Sequence, residues 1–134
     1  MVGGDLGDLL EGTPGPDVVV AGGGTDLVRG NGGPDVICAG SGDDTVRAGA
    51  GADLVFGEDG DDAVFLDAGN DRGLGGAGVD EIEGSAGADR LIGGPGSDFL
   101  KGGAGPDLLR GNGGTDLLVG GAGRDDCRGG VGKC

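Results

Sequence analysis

The 134-residue chain contains no histidine, tryptophan or tyrosine, and its only aromatic residues are Phe56, Phe65 and Phe99. Aromatic side chains supply much of the buried area in ordinary globular cores, so this composition excludes a conventional core. Without histidine, the commonest acid–base catalyst and zinc ligand is missing. The three serines have no evident base partner, and no zinc motif is present. The composition therefore argues against an enzyme.

Positive charge is also scarce. Nine lysines and arginines face 24 acidic residues, which gives a formal net charge of −15. A chain this acidic repels phosphate backbones, so a nucleic-acid partner is excluded. No apolar run is long enough to span a membrane, and no cationic and apolar signal peptide follows Met1. We therefore expect either a module of a longer protein or a chain exported without an N-terminal signal.

Glycine is abundant, with 39 residues, and glycine combined with high net charge is typical of disordered linkers. A strict nine-residue register contradicts that interpretation. With Gly93 of "GGPGSDFLK" as position one, position four is glycine except at Leu6, and position eight is apolar except at Gly73. Position six is aspartate in fourteen consecutive nonapeptides: Asp8, Asp17, Asp26, Asp35, Asp44, Asp53, Asp62, Asp71, Asp80, Asp89, Asp98, Asp107, Asp116 and Asp125.

The prolines test this frame independently, because all five fall at positions three and five and none at seven to nine. Proline suits turns and damages strand ladders, so positions one to six are predicted as turn and seven to nine as a short strand. Position eight then points inward. Two nonapeptides form an 18-residue coil, and coils stack at roughly 4.8 Å. The prediction is an all-β, right-handed parallel solenoid with two short parallel sheets and about seven coils, in a single domain over 1–134 with repeats from Gly3 to Cys134.

In such a solenoid, aspartates 18 residues apart stack in two columns of seven. Like charges at that spacing repel by roughly 1 to 4 kcal/mol each, so a cation is needed between them. The available ligands are carboxylate and carbonyl oxygens, with no histidine. Such a set favours Ca²⁺ over Zn²⁺ or Cu²⁺.

The segments "GGPGSDFLK" (93–101), "GGAGPDLLR" (102–110) and "GNGGPDVIC" (30–38) resemble the RTX, or hemolysin-type, calcium-binding nonapeptide repeat, whose fold is the parallel β-roll. The resemblance extends over essentially the whole chain. It implies multiple Ca²⁺ ions between stacked loops, held by the fourteen position-six carboxylates and loop carbonyls. Six gaps in each column set an upper limit of about twelve ions. It also implies folding outside the cell, triggered by calcium.

The favoured function is therefore a calcium-binding module of a secreted or cell-surface protein. The alternative is an adhesion or surface-lattice module that uses an apolar outer face or end-to-end assembly. Ice binding, which some similar solenoids perform, requires regular threonine or asparagine ladders that the four threonines do not form.

The pattern weakens at residues 66–74, "LDAGNDRGL", which lack both opening glycines and carry Gly73 at the apolar position. We interpret this segment as a worn repeat and the loops around Asp71 as the weakest calcium sites. Because Leu6 replaces the glycine at position four, we also interpret the Asp8 loop as a weak calcium site.

The cysteines suggest one cross-link. Cys127 takes an apolar position and Cys134 takes the place of the next aspartate, seven residues on. We expect a Cys127–Cys134 disulfide that closes the C-terminal coil in an oxidising compartment. Cys38 lies about five coils away, too far to join them.

The outward positions differ between the two predicted sheets. One sheet carries charged residues at position nine, as a solvated face does, namely Glu11, Arg29, Arg47, Glu83 and Lys101. The other carries an apolar stripe, which is typical of a surface that binds a second copy, a partner or a flanking domain. A tolerated exposed β-face is the alternative. The stripe consists of Val18, Val20, Val36, Leu54, Phe56, Leu74 and Ile92.

Overall fold

The computed structural model describes residues 1–134, and the whole chain forms stacked coils of β-strand without a helix. Fifteen strands follow one another: β1 (Leu9–Glu11), β2 (Val18–Gly23), β3 (Leu27–Gly32), β4 (Val36–Ser41), β5 (Thr45–Ala50), β6 (Leu54–Asp59), β7 (Ala63–Ala68), β8 (Arg72–Ala77), β9 (Glu81–Ala86), β10 (Arg90–Pro95), β11 (Phe99–Ala104), β12 (Leu108–Gly113), β13 (Leu117–Ala122), β14 (Asp126–Arg128) and β15 (Val131–Lys133). Consequently no helix of a length and apolarity suited to crossing a membrane is present.

The strands alternate between two parallel sheets. The eight-stranded sheet contains the odd-numbered strands in order, and the seven-stranded sheet contains the even-numbered ones. Neighbours within a sheet pair in an 18-residue register, so that Val19 lies opposite Ile37 and Ile37 opposite Val55. The predicted all-β parallel solenoid, with 18 residues per coil and about seven coils, is confirmed.

The strands are longer than the sequence predicts. Each full strand has six residues and runs from position seven into position three of the next nonapeptide, as in β2. The prediction that positions one to three belong to the turn is therefore wrong. The pairing register skips position one and resumes at positions two and three, as in Gly22–Gly40 and Gly23–Ser41. Only positions four to six lie outside the strands.

The core between the sheets has two inward positions in each nonapeptide. Position eight is buried as predicted, and position one is buried as well, as the pattern of β5 shows for Val46 and Ala48. Because most position-one residues are glycines, the two sheets approach closely and the core is thin. The buried apolar side chains are Leu10, Val19, Ala21, Val28, Ile37, Ala39, Val46, Ala48, Val55, Val64, Leu66, Ile82, Leu91, Leu100, Leu109 and Leu118.

The near invariance of glycine at position four follows from the stacking of the turns. Gly42 has a φ of +118°, and a Cβ atom there would collide with the carbonyl oxygen of Gly24 in the preceding coil. Position two also turns through positive φ, but Asn31 and Glu58 adopt it at 76° and 81°. Position four therefore requires glycine for both conformation and space, whereas position two tolerates side chains.

Residues 66–74 are not a worn repeat in the core, because a side chain is moved rather than lost. Leu66 at position one is fully buried and occupies the space that Gly73 leaves. A Cβ atom on Gly73 would lie 3.2 Å from Leu66 Cδ1 and 3.0 Å from Ile82 Cγ2. β8 keeps six residues and pairs with β6 and β10. The buried side chain has moved from position eight to position one, and this exchange corrects the interpretation of residues 66–74 as a worn repeat.

We expect Leu66→Ala to lower the free energy of unfolding of the calcium-loaded protein by about 2–5 kcal/mol, because no neighbouring side chain can fill the cavity. Leu117→Ala is the matched control, since Leu117 is 46% exposed on the outside of β13, and we expect a cost within about 0.5 kcal/mol. Chemical denaturation measures both. Equal losses in the two variants would show that Leu66 does not substitute for the missing side chain.

The last coil leaves the 18-residue register. Val131 of β15 pairs with Leu117, only fourteen residues earlier, after a turn through Gly129 with a φ of +80°. The prediction that Cys134 takes the place of the next aspartate is therefore wrong, because the glycine-rich turn returns the chain early. Cys134 instead lies beside Cys127 as a disulfide, with a Cα–Cα distance of 6.1 Å.

We predict that the Cys127–Cys134 disulfide forms under oxidising conditions and that its reduction lowers the free energy of unfolding by about 2 kcal/mol, the entropic cost expected for so short a loop. Peptide mapping under non-reducing conditions detects the bond, and denaturation with and without reductant measures its effect. Cys38→Ser is the matched control and leaves both readouts unchanged. Two free thiols at positions 127 and 134 in the oxidised protein would refute the pairing.

Candidate metal centre

The position-six aspartates form the two columns that the sequence predicts, one at each corner where the chain passes between the sheets. Each aspartate immediately precedes a strand, so the pairing register of the strands stacks the carboxyl groups one coil apart. The columns lie inside the molecule rather than on its surface. Eleven of the fourteen side chains, from Asp26 to Asp116, are 1–3% exposed.

One oxygen of each carboxylate connects adjacent coils. The backbone N–H of Asp26 donates to Oδ1 of Asp44 at 2.8 Å, and the N–H of Asp44 donates to Oδ1 of Asp62 at 2.9 Å. The same bond joins all twelve successive pairs of the two columns, at 2.7–3.0 Å. Each aspartate side chain therefore fixes the backbone of the coil before it.

The second oxygen of each buried carboxylate has no partner. Oδ2 makes no hydrogen bond in any of the eleven aspartates from Asp26 to Asp116. It lies close to the position-one residue of its own nonapeptide, and a Cβ atom on Gly75 would overlap Oδ2 of Asp80. Glycine at position one thus leaves room for this oxygen in most repeats, whereas position one is alanine or leucine in the repeats of Asp26, Asp44, Asp53 and Asp71, whose Oδ2 atoms are equally unpartnered.

The first two loops differ from the rest. Oδ2 of Asp8 accepts the backbone N–H of Gly4 at 2.7 Å, and Oδ2 of Asp17 accepts the N–H and hydroxyl of Thr13 at 2.6 and 2.9 Å. These bonds hold the pKa of Asp17 below its ordinary value. Asp8, Asp17 and Asp125 are also only half-buried. The unpartnered oxygens therefore belong to the middle of the solenoid.

Burial raises the pKa of the carboxyl groups in the middle of the columns. The pKa values of Asp62, Asp71 and Asp80 rise from 3.8 to about 6, first because burial disfavours the charged form and then because neighbouring aspartates repel it. Hydrogen bonds from the backbone partly oppose the shift. Asp71 is as buried as the other column members despite its unusual repeat, and its N–H donates to Oδ1 of Asp89 at 2.9 Å.

The donor set fits a hard cation. The columns offer only oxygen, from carboxylates and from the carbonyl groups of the loops, and Ca²⁺ takes six to eight oxygen ligands. No point in the structure gathers three or more acidic, cysteine or histidine side chains. An ion in these columns would therefore combine the unpartnered Oδ2 atoms with backbone carbonyls. In such a site the ion would supply the positive charge that the buried carboxylates lack.

The other predicted residues also occupy definite places. Val18, Val36 and Leu54 lie in register on the outside of the seven-stranded sheet, as do Val20, Phe56, Leu74 and Ile92 in the adjacent row. The sequence analysis missed that Arg72 and Arg90 continue the first row. Reading alternate nonapeptides separately would have placed them there, because position seven of every second repeat belongs to this sheet.

Acid is expected to stabilise the calcium-free fold. A carboxyl group whose pKa is raised on folding binds protons more tightly in the folded state, so its stabilising contribution is complete below about 3.8 and is lost as pH rises through about 6. In chelator, the β signal in far-UV circular dichroism is expected to be stronger at about pH 5 than at about pH 7.5. Asp62→Asn/Asp71→Asn/Asp80→Asn should weaken this dependence. A calcium-free signal that grows as pH rises would contradict the assignment.

Comparison with known proteins agrees with this geometry. The RTX calcium-binding nonapeptide repeat matches the chain in four copies, at residues 2–37, 39–73, 74–109 and 101–133. No curated protein matches the chain. Since the repeats extend over nearly the whole sequence and the structure is the parallel solenoid that such repeats build, this chain belongs to the family of RTX calcium-binding repeat proteins.

Proposed function

We propose that this chain is a non-catalytic β-roll module of a secreted or cell-surface protein that folds when multiple Ca²⁺ ions bind between its stacked loops. The ligands are the position-six carboxylates of both columns, completed by loop carbonyls. RTX repeats bind calcium, and proteins that contain them are typically secreted. The number of ions, up to about twelve, and the identity of each ligand are part of the proposal.

The observation that carries the proposal is the row of eleven buried Oδ2 atoms without a partner. A buried carboxylate without a counter-charge costs several kcal/mol, even where Oδ1 accepts a backbone hydrogen bond, and here the cost recurs at each aspartate from Asp26 to Asp116. Lysines and arginines lie elsewhere, and none forms an ion pair with a column aspartate. A bound cation removes this cost, whereas a solenoid at neutral pH without one must bear it.

Calcium concentration then becomes the variable that decides folding. Each site at ten times its Kd contributes about 1.4 kcal/mol, so several sites together are comparable with the whole stability of a small domain. Extracellular calcium modules bind at about 10⁻⁴–10⁻³ M. The chain would therefore remain largely unfolded at low calcium and fold where calcium is abundant. Self-association through the apolar stripe stays a prediction.

A calcium titration from chelator, followed by far-UV circular dichroism, tests the proposal with Mg²⁺ as the comparison ion. We expect a cooperative gain of β signal with Ca²⁺ at about 10⁻⁴–10⁻³ M and little gain with Mg²⁺. In Asp71→Asn, the calcium-dependent part of the free energy of unfolding should fall by on the order of 1–3 kcal/mol, because one carboxylate serves two gaps.

Glu81→Gln is the matched control, since it removes one negative charge from an exposed position outside the columns. It should leave the calcium midpoint unchanged. Two results would overturn the proposal: a complete β signal in chelator at neutral pH, or equal calcium responses in Asp71→Asn and Glu81→Gln. Isothermal titration of the unmodified chain gives the number of ions.

A further inference from the structure

The outer surface of the seven-stranded sheet combines apolar and basic side chains. We use the name arginine face for its outward positions seven and nine. The strands β2, β4 and β6 present valine, leucine, cysteine and phenylalanine there, while β8, β10, β12 and β14 add Arg72, Arg90, Arg110 and Arg128. The only acidic residue at these positions is Asp126. Glu58 lies at the edge of the arginine face, near Cys38. The face is thus positive, although the chain carries −15.

The arginines of this face are unusual because three of them are unpaired. Arg72, Arg90 and Arg110 form no salt bridge, and only Arg128 binds Asp126, at 2.9 Å. Three basic residues of the opposite sheet are neutralised nearby, in the pairs Arg29–Glu11 at 3.0 Å, Arg47–Asp67 at 2.8 Å and Lys101–Glu83 at 2.6 Å, and only Lys133 on the terminal strand β15 forms no ion pair there. The small cleft of about 140 Å³ on that sheet is lined partly by the paired Arg29 and Arg47.

Two of the unpaired arginines also repel each other. Arg72 on β8 lies directly opposite Arg90 on β10, and both are exposed. Like charges placed opposite each other on neighbouring strands destabilise a sheet. An anion bound between or above the two guanidinium groups would remove the repulsion, and guanidinium binds phosphate and carboxylate groups in a bidentate manner.

The dimensions and chemistry of the arginine face limit which kind of partner can bind it. Seven strands at roughly 4.8 Å give a strip about 30 Å long and about 10 Å wide, well below the roughly 800 Å² per partner of a standard protein interface. Positions seven and nine of this sheet include no hydroxyl or amide side chain, so the strong hydrogen-bonding groups there are almost all guanidinium. A lipid surface presents anionic headgroups above an apolar acyl boundary. It therefore complements both the basic strands and the apolar strands of the arginine face.

We propose that the arginine face docks the calcium-loaded solenoid on an anionic lipid surface. Arg72, Arg90 and Arg110 bind headgroup phosphates, and the apolar side chains of the first strands, such as Leu54 and Phe56, contact the acyl boundary. This step rests on the proposed function, because the metal-free chain at −15 is repelled by anionic lipid. About eight bound Ca²⁺ ions would outweigh that charge, and the carboxylate column nearest the face directly precedes its strands.

Vesicle flotation tests the proposal with the full chain, using phosphatidylcholine vesicles with and without phosphatidylglycerol, in Ca²⁺ and in chelator. We expect binding only to the anionic vesicles and only in Ca²⁺. Arg72→Gln/Arg90→Gln/Arg110→Gln should weaken it about 100-fold, at about 1 kcal/mol for each arginine. The matched control is Arg29→Gln/Arg47→Gln/Lys101→Gln, which removes the same charge from the opposite sheet and should retain most of the binding.

The control separates a specific face from calcium bridging between acidic protein and acidic lipid, because bridging would affect both triple variants equally. Equal binding by the two variants, or no binding by a chain that circular dichroism shows to be folded, overturns the inference. So does binding to a soluble polyanion such as heparin without binding to vesicles, or a dimer that the Arg72 triple variant abolishes. Circular dichroism of the same samples reports calcium-dependent folding separately, so that failure of the proposed function is recognised independently.

Discussion

The hydrogen bond from a backbone N–H to Oδ1 of the aspartate one coil later is the interaction on which the rest of the structure depends. It joins all twelve successive pairs in the two columns and therefore links, at both corners, the coils that strand pairing holds in register. It also holds the carboxylate inside the molecule, where Oδ2 has no hydrogen-bond partner. The same contact that aligns the coils thus creates a buried negative charge.

This coupling lowers the stability of the solenoid wherever the buried charge is not compensated. Each added coil contributes two short strands and a few small apolar side chains, and it also buries two further carboxylates. Length therefore increases the favourable and the unfavourable contributions together, and a longer repeat array does not escape the problem. A cation or a proton on Oδ2 changes the balance in every coil. In the proposed function the fold and its ligand are therefore coupled, as in small domains whose metal supplies folding energy.

The sequence predicted the features that recur at a single position of the nonapeptide. The aspartates, the inward position eight and the 18-residue coil follow from periodicity alone. The second inward position was missed because glycine occupies most of it, and a hydrophobic pattern cannot reveal a buried residue without a side chain. The exchange between Leu66 and Gly73 was missed because it couples two positions that the frame treats separately. The early return at Val131 depends on a local turn at Gly129, which no periodic rule contains.

The structure also separates the parts of the chain that must be constant from the parts that can vary. Stacking of the turns constrains position four, the carboxylate ladder constrains position six, and the core constrains position eight. Positions seven and nine face outward and take part in none of these three contacts. Arg72 and Arg90 could therefore be placed opposite each other at only a local electrostatic cost. Compensating the buried columns with calcium changes the net charge without altering this outer face. The ion that completes the fold would then also determine when the arginines dominate the field around the molecule.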